Sequence, residues 1–224
     1  MTGDSVLAEQ RRYYAARAPE YDDWWFRRGR YALEADRQAR WDADVAEAER
    51  ALAAFRPAGD ALELAAGTGL WTRHLAGTAS RLVAVDASAE TLELNRRRVQ
   101  GGVEYVVADV FAWEPDERFD VCFFSFWLSH VPDDRFDGFW RLVRSTLRPG
   151  GRVFLVDSSA GDRAHTGIAA GRERELRRIA DGREFEIVKR RWEPEELAAR
   201  VAPFGLELDL AVSANGHFLF GGGQ

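Results

Sequence analysis

One cysteine and one methionine stand in a chain of 224 residues. The single Cys122 excludes an internal disulfide, and its apolar surroundings make it an inert buried thiol rather than a nucleophile. No apolar run approaches the length of a membrane span. The N-terminal stretch lacks the basic flank and apolar core of a signal peptide, so a cytoplasmic location is expected. Excess positive charge is also missing. The net charge is −6, which argues against general nucleic-acid or membrane binding, since both need basic patches. The four histidines show no metal-ligand spacing with each other or with acids, so no metal site is expected. There is no internal repeat and no low-complexity linker. The chain therefore reads as one domain over 1–224, of a size that builds a generous core.

What the chain does have is a buried strand running into a glycine turn, Ala61-Leu62-Glu63-Leu64-Ala65-Ala66-Gly67-Thr68-Gly69. Gly67 and Gly69 permit positive φ and let a ligand approach the backbone. Thr68 to Thr72 are expected to open a helix with its amides toward that ligand. Such turns often bind nothing. Here, though, a second apolar strand, 81–86, ends in Asp86, 17 residues after Gly69, where an acid can accept from both hydroxyls of a ribose. A third strand, 103–108, is followed by Asp109. Further strands are expected at 119–124 and 152–157, with helices at 70–77, 88–98 and 133–147 between them. Strands alternating with helices, then an antiparallel pair at 206–213 and 216–220, predict an α/β fold with a doubly wound, mostly parallel seven-stranded sheet. A helix opening at Glu193-Pro194 precedes that pair.

Glu63 through Gly69, Asp86, Asp109, Phe119 to Ser125 and Leu147 to Gly151 together resemble the class I S-adenosylmethionine-dependent methyltransferases, over roughly residues 60–157. Ala65 departs from a position that is often glycine there. A second set of residues, Glu63 to Leu75, Phe126 to Phe136 and Asp181 to Lys189, is similar to phosphonate O-methyltransferases over most of the chain. The resemblance implies S-adenosylmethionine as cofactor and a small-molecule acceptor, possibly an anionic phosphonate or carboxylate, methylated at oxygen. It implies a core at 57–157, an N-terminal helical cap at 1–56, a lid at 158–192 after strand five, and a closing helix with antiparallel strands at 193–224. It also implies a Rossmann-like sheet in a monomer or homodimer.

The residues expected at the cofactor are Tyr13, Tyr14, Glu63, Ala65, Gly67, Thr68, Gly69, Trp71, Asp86, Ala87, Ser88, Asp109, Val110, Phe111, Ser125 and Phe126. Glu63 either ties strand one to its neighbour or faces the methionine ammonium; a buried carboxylate needs one or the other. His130 is expected near the chemistry, as a base, an acceptor-positioning group, or a histidine bonded to backbone. Tyr21, Arg30, Trp127, Arg177 and Lys189 are expected at the acceptor. Arginine suits bidentate capture of an oxyanion, although an arginine run is usually a solvated face. Helices are expected at 5–18, 32–56 and 168–180, and 185–189 alternates like an exposed strand. Seven aromatics between Tyr13 and Tyr31 either pack the terminal segment or cap the ligands. The rivals are a non-catalytic cofactor-binding module and a nicotinamide-dependent oxidoreductase. The latter is disfavoured because Gly67 to Thr72 lacks the last glycine of the dinucleotide fingerprint. RNA methylation is weaker still.

Overall fold

A computed structural model describes residues 3–161 and 174–224. The elements in chain order are α1 (Gly3–Arg17), α2 (Tyr21–Trp25), α3 (Ala35–Phe55), β1 (Asp60–Leu64), α4 (Thr72–Ala76), β2 (Arg81–Asp86), α5 (Ala89–Arg98), β3 (Val103–Val107) and β4 (Phe119–Ser125). They continue as α6 (Asp133–Thr146), β5 (Leu147–Ser158), β6 (Arg174–Arg178), β7 (Glu184–Val188), α7 (Pro194–Val201), β8 (Leu208–Val212) and β9 (Phe218–Gly223). Seven strands form one sheet in the order β3-β2-β1-β4-β5-β9-β8. The first five are parallel; β9 runs antiparallel to β5, and β8 antiparallel to β9. The strand order reverses between β1 and β4, so the carboxyl ends of Leu64 and Phe124 lie side by side. An open α/β sheet binds ligands at that crevice.

The central strands are buried on both faces, which is why they read as apolar runs. On one face Leu62, Leu64, Phe124 and Leu155 pack under α6 and α7, around Trp140 and Trp192. On the other, Ala61, Phe123 and Phe154 pack under α2, α3 and α4, around Trp25, Trp41 and Trp71. Ser88 caps α5 by accepting from the Thr91 amide at 3.1 Å. No helix among the described residues is long and apolar enough to cross a membrane.

Two elements lie outside this sandwich. α1 packs on the β6–β7 hairpin through Tyr13, Ile179, Phe185 and Ile187. The expected helix at 168–180 is not observed where described: Arg174–Arg178 is a strand paired with β7. Local propensity favoured a helix, and pairing with a strand ten residues away overrides it. The hydrophobic pattern of β6 is inverted, with Leu176 exposed and Glu175 buried, because its inner face looks into a polar cavity. Residues 168–173 of that expected helix, with Arg172, fall outside the described residues, as do Arg163 and His165. Strand 185–189 is likewise covered rather than exposed, since α1 packs on Phe185 and Ile187 and bonds the Val188 amide through Gln10, and Lys189 is buried against Ser129 and Ser158. α4 starts at Thr72, later than the turn suggested.

α3 buries Asp44 beside Trp41, Ala48 and Leu52. The Asp44 carboxylate accepts from Ser213 Oγ at 2.7 Å, Asn215 Nδ2 at 2.8 Å and His217 Nδ1 at 2.7 Å, tying α3 to the β8–β9 turn. Burial disfavours the charge, but these donors together hold the carboxyl below its ordinary range. Because the folded state releases this proton more readily than the unfolded chain, the stabilisation is full above the ordinary carboxylate range. It is lost as pH falls through the native value. Asp44→Ala is therefore expected to cost more than about 2 kcal/mol at pH 7 in urea unfolding, with the difference from wild type shrinking on acidification. An unchanged midpoint would remove this tie from the stability of the fold.

Candidate functional site

The glycine turn is shaped from three sides. Ala65 adopts φ of +52°, the left-handed region that glycine tolerates best, so its methyl is accommodated at some strain. Gly69 has φ of +87°, and a Cβ there would come within 2.6 Å of Asn95 Oδ1. Asn95, buried on α5, donates to the Gly67 carbonyl at 3.2 Å and to Thr72 Oγ1 at 2.8 Å, and accepts from Tyr105 at 3.1 Å. Arg98 donates to the Thr68 carbonyl at 2.6 Å and pairs with Asp22, which also accepts from Thr68 Oγ1 at 3.1 Å. The N-terminal segment is thereby fastened to the turn. Sequence reading missed Asn95, Arg98 and Asp22; the helical positions they occupy carry no local signal for a contact this distant.

Beyond the turn lies a cavity of about 370 Å³. Ala65, Gly67, Thr68, Asp86, Ala87, Ser88, Asp109, Val110, Phe111, Ser125 and Phe126 line it, as expected from sequence. α1 forms its roof through Leu7, Gln10, Arg11 and Tyr14. Asp86 accepts from the Gly67 amide and the Ser88 amide, both at 2.9 Å, and burial still pushes its carboxyl up. Asp109 accepts from the Phe111 amide at 3.0 Å and is bridged by Arg11 of the roof at 3.0 Å. Trp127, expected at the acceptor, lines this cavity instead, against Phe111. Trp71 is buried among Trp25 and Phe123, off the cavity wall. Gly69 sits behind the wall as well.

Glu63 lies beneath the turn, fully buried. Among the described residues neither of its oxygens has a hydrogen-bond partner; Thr72 favours the ionised form but stops short of bonding geometry. Burial pushes its carboxyl up to about 8, helped by the neighbouring Asp86.

A second, smaller cavity of about 100 Å³ shares Tyr14, Tyr21 and Phe126 with the first. Five cations line it: Arg17, Arg27, Arg177, Lys189 and Arg191; no carboxylate does among the described residues. Behind them, Glu175 pairs with Arg177 and, at 2.7 Å, with Arg191. Lys189, the chain's one lysine, donates to Ser129 at 2.8 Å and Ser158 at 3.0 Å, and lies 3.8 Å from Asp157. His130 is buried at the junction. Its Nδ1 donates to the Val188 carbonyl at 2.7 Å, and its Nε2 accepts from the Tyr14 hydroxyl at 2.6 Å. Burial, reinforced by Lys189, pushes its pKa well below the ordinary value, so it is neutral. Tyr13, expected at the cofactor, lines this second cavity. Arg30 lies outside both, bonded to the Arg178 carbonyl at 2.9 Å.

The methyltransferase domain family matches residues 61–151. A solved structure described as the DhpI-SAM-HEP complex is 37% identical, over all of both chains, with a TM-score of 0.82. The chain belongs to the class I S-adenosylmethionine-dependent methyltransferases. The demethylmenaquinone methyltransferase of Clavibacter sepedonicus is 41% identical over 44% of this chain, and the cypemycin N-terminal methyltransferase of a Streptomyces species is 32% identical over 50%. The chain spans only 40% and 50% of those two relatives' lengths. The methyltransferase's large cavity fits its cofactor on its own chemistry. Asp86 ends β2, Asp109 follows β3, and the orphaned Glu63 oxygens lie under the turn.

Two measurements follow from this geometry. Asp86→Ala is expected to weaken S-adenosylhomocysteine binding at least about tenfold by calorimetry, the loss of one charge-assisted pair of bonds; unchanged affinity would sink the ribose assignment. For Glu63, the folded protein holds the proton more tightly than the unfolded chain. Stability is therefore full below the ordinary carboxyl value and is lost as pH rises toward about 8. In the ligand-free protein, Glu63→Gln should raise the melting temperature relative to wild type at pH 9 and leave it nearly matched at pH 5. A difference independent of pH would show that Glu63 does not titrate there.

Proposed function

We propose that this methyltransferase transfers a methyl group to an anionic oxygen of a small phosphonate or carboxylate in the cytoplasm. The observation that carries the reading is the small cavity, which among the described residues is lined by five cations and no carboxylate and shares Tyr14, Tyr21 and Phe126 with the cofactor cavity. Cations so gathered suit an oxyanion and oppose a neutral or cationic acceptor. The sequence resemblance to phosphonate O-methyltransferases points the same way.

S-adenosylmethionine, when bound, supplies a methyl already activated on a sulfonium. The residues that would hold it are Asp86 at the ribose, Asp109 with Phe111 and Trp127 at the base, and the Ala65–Gly69 turn with Glu63 at the amino-acid end. Lys189, Arg177 and Tyr21 would fix the acceptor so that one oxygen faces Ser125 and Phe126, and the roof of α1 keeps water out. The cap at 1–56 and the described part of the segment 158–192 act together here, since α1 and the β6–β7 hairpin form one layer over the crevice.

An oxyanion needs no base. His130 has both ring nitrogens engaged, and we assign it the task of orienting Tyr14 at the junction of the two cavities rather than of accepting a proton. The test is turnover with a panel of small phosphonates, carboxylates, alcohols and amines, read by mass spectrometry of the products. Methyl esters of the acids are expected, with neutral analogues at least about 100-fold lower in kcat/KM, the scale set by leaving buried charges unmatched. Equal turnover of an alcohol or amine would overturn the reading.

A further inference from the structure

Arg17 closes α1, and its guanidinium lines the small cavity while the residue is 9% exposed. Its central carbon lies 5.5 Å from the Tyr13 ring, 5.3 Å from Tyr21 and 5.2 Å from Trp24. Aromatic rings engage the faces of a guanidinium; its N–H donors point outward in the plane. Nε is buried with no hydrogen-bond partner, and no carboxylate lies within ion-pair distance among the described residues. The neighbouring cations differ. Lys189 has Asp157 behind it, and Arg177 and Arg191 share Glu175. A cation–π contact is worth about 0.5–2 kcal/mol. Burying an unmatched charge costs several kcal/mol, and the rings offset only part of that. The rings hold the group in place, and an anion completes it.

We propose that Arg17 is a specificity-determining residue that binds the second negative charge of the acceptor, so that the cavity selects a dianionic phosphonate over a monoanionic carboxylate. The inference rests on the anionic-acceptor reading and sharpens it. The protein's own carboxylates already match part of the charge of Lys189, Arg177 and Arg191, and a single carboxylate ligand would meet what remains of it. Arg17, at the end of α1, adds a charge that no described carboxylate matches. A tetrahedral phosphonate has an oxygen to spare for it, and a planar carboxylate does not. Methylation removes one of the two charges, so the ester product no longer satisfies Arg17 and its release is favoured.

The experiment is calorimetric titration of the full chain, saturated with S-adenosylhomocysteine, at pH 8.5. The probes are methylphosphonate and acetate, and the proteins are wild type, Arg17→Gln and Arg17→Lys. Wild type should prefer methylphosphonate by at least about 30-fold, the scale of one charge-assisted pair. Arg17→Gln should cut that preference to within about 3-fold while S-adenosylhomocysteine affinity stays within about 3-fold. Arg17→Lys should retain a preference of about 3- to 10-fold, and it carries the comparison if the glutamine variant fails to fold. A variant that weakens both probes equally and keeps their ratio would make Arg17 structural and overturn the inference. A wild type that binds the two probes equally would overturn it and leave the anionic acceptor standing. A wild type that binds neither would remove the anionic-acceptor reading itself, and the role of Arg17 with it.

Discussion

Two like charges 4 Å apart near a protein surface repel by about 4 kcal/mol at an effective dielectric of about 20. Five cations around one small volume are therefore a constraint that the surrounding structure must meet. It does so with a second layer behind the wall. Glu175 sits between Arg177 and Arg191, and Asp157 stands behind Lys189 while accepting from the amides of Ser129 and Ser158 at 2.8 Å and 2.7 Å. Arg27 lies 3.4 Å above the Trp41 ring. These supports come from β5, β6, the turn after β4, and α3, so the cavity exists only where all of them converge.

That convergence explains the form of the roof. A helix laid over an apolar sheet would present apolar residues at every turn. α1 instead buries Val6, Gln10, Tyr13 and Arg17 along one face. Gln10 stands in for a strand: it accepts from the Val188 amide at 3.1 Å and donates to the His130 carbonyl at 3.0 Å. The roof is thus held largely by polar contacts and one small aromatic cluster. Elements of that kind open at lower free energy than a packed core. The same face reaches both cavities, so the two are built on a common helix.

How much of this the sequence discloses follows from the range of the interactions. The sheet was legible because central parallel strands are apolar runs, and the Gly67, Asp86 and Asp109 positions follow them within a few residues. Most of the cofactor wall was named for that reason. The helix of the roof was expected, but the hairpin pairing and the inward Gln10, Arg17 and Glu175 were not, because these polar groups occupy positions where a periodic reading looks for apolar side chains. The expected helix over 168–180 failed where it is described, since Glu175 and Arg177 point inward and Leu176 out, which is the alternation of a strand. Trp71 misled in the opposite sense, lying next to a binding turn and serving the core. Asn95 lies 28 residues from the Gly67 carbonyl it holds, and Asp22 lies 76 residues from Arg98, beyond any local pattern.

Lys189 is the one lysine among 31 basic residues. A guanidinium would serve at most surface positions, but its planar fork suits two acceptors in one plane. The site between Ser129, Ser158 and Asp157 asks for a compact charge with donors in three directions, and an ammonium provides that. Its charge also bears on His130, which is kept neutral by burial and by Lys189 together. A neutral imidazole can accept from Tyr14, and a protonated one cannot. Lys189 therefore also preserves the Tyr14–His130 hydrogen bond, and with it the seam where the roof meets the two cavities.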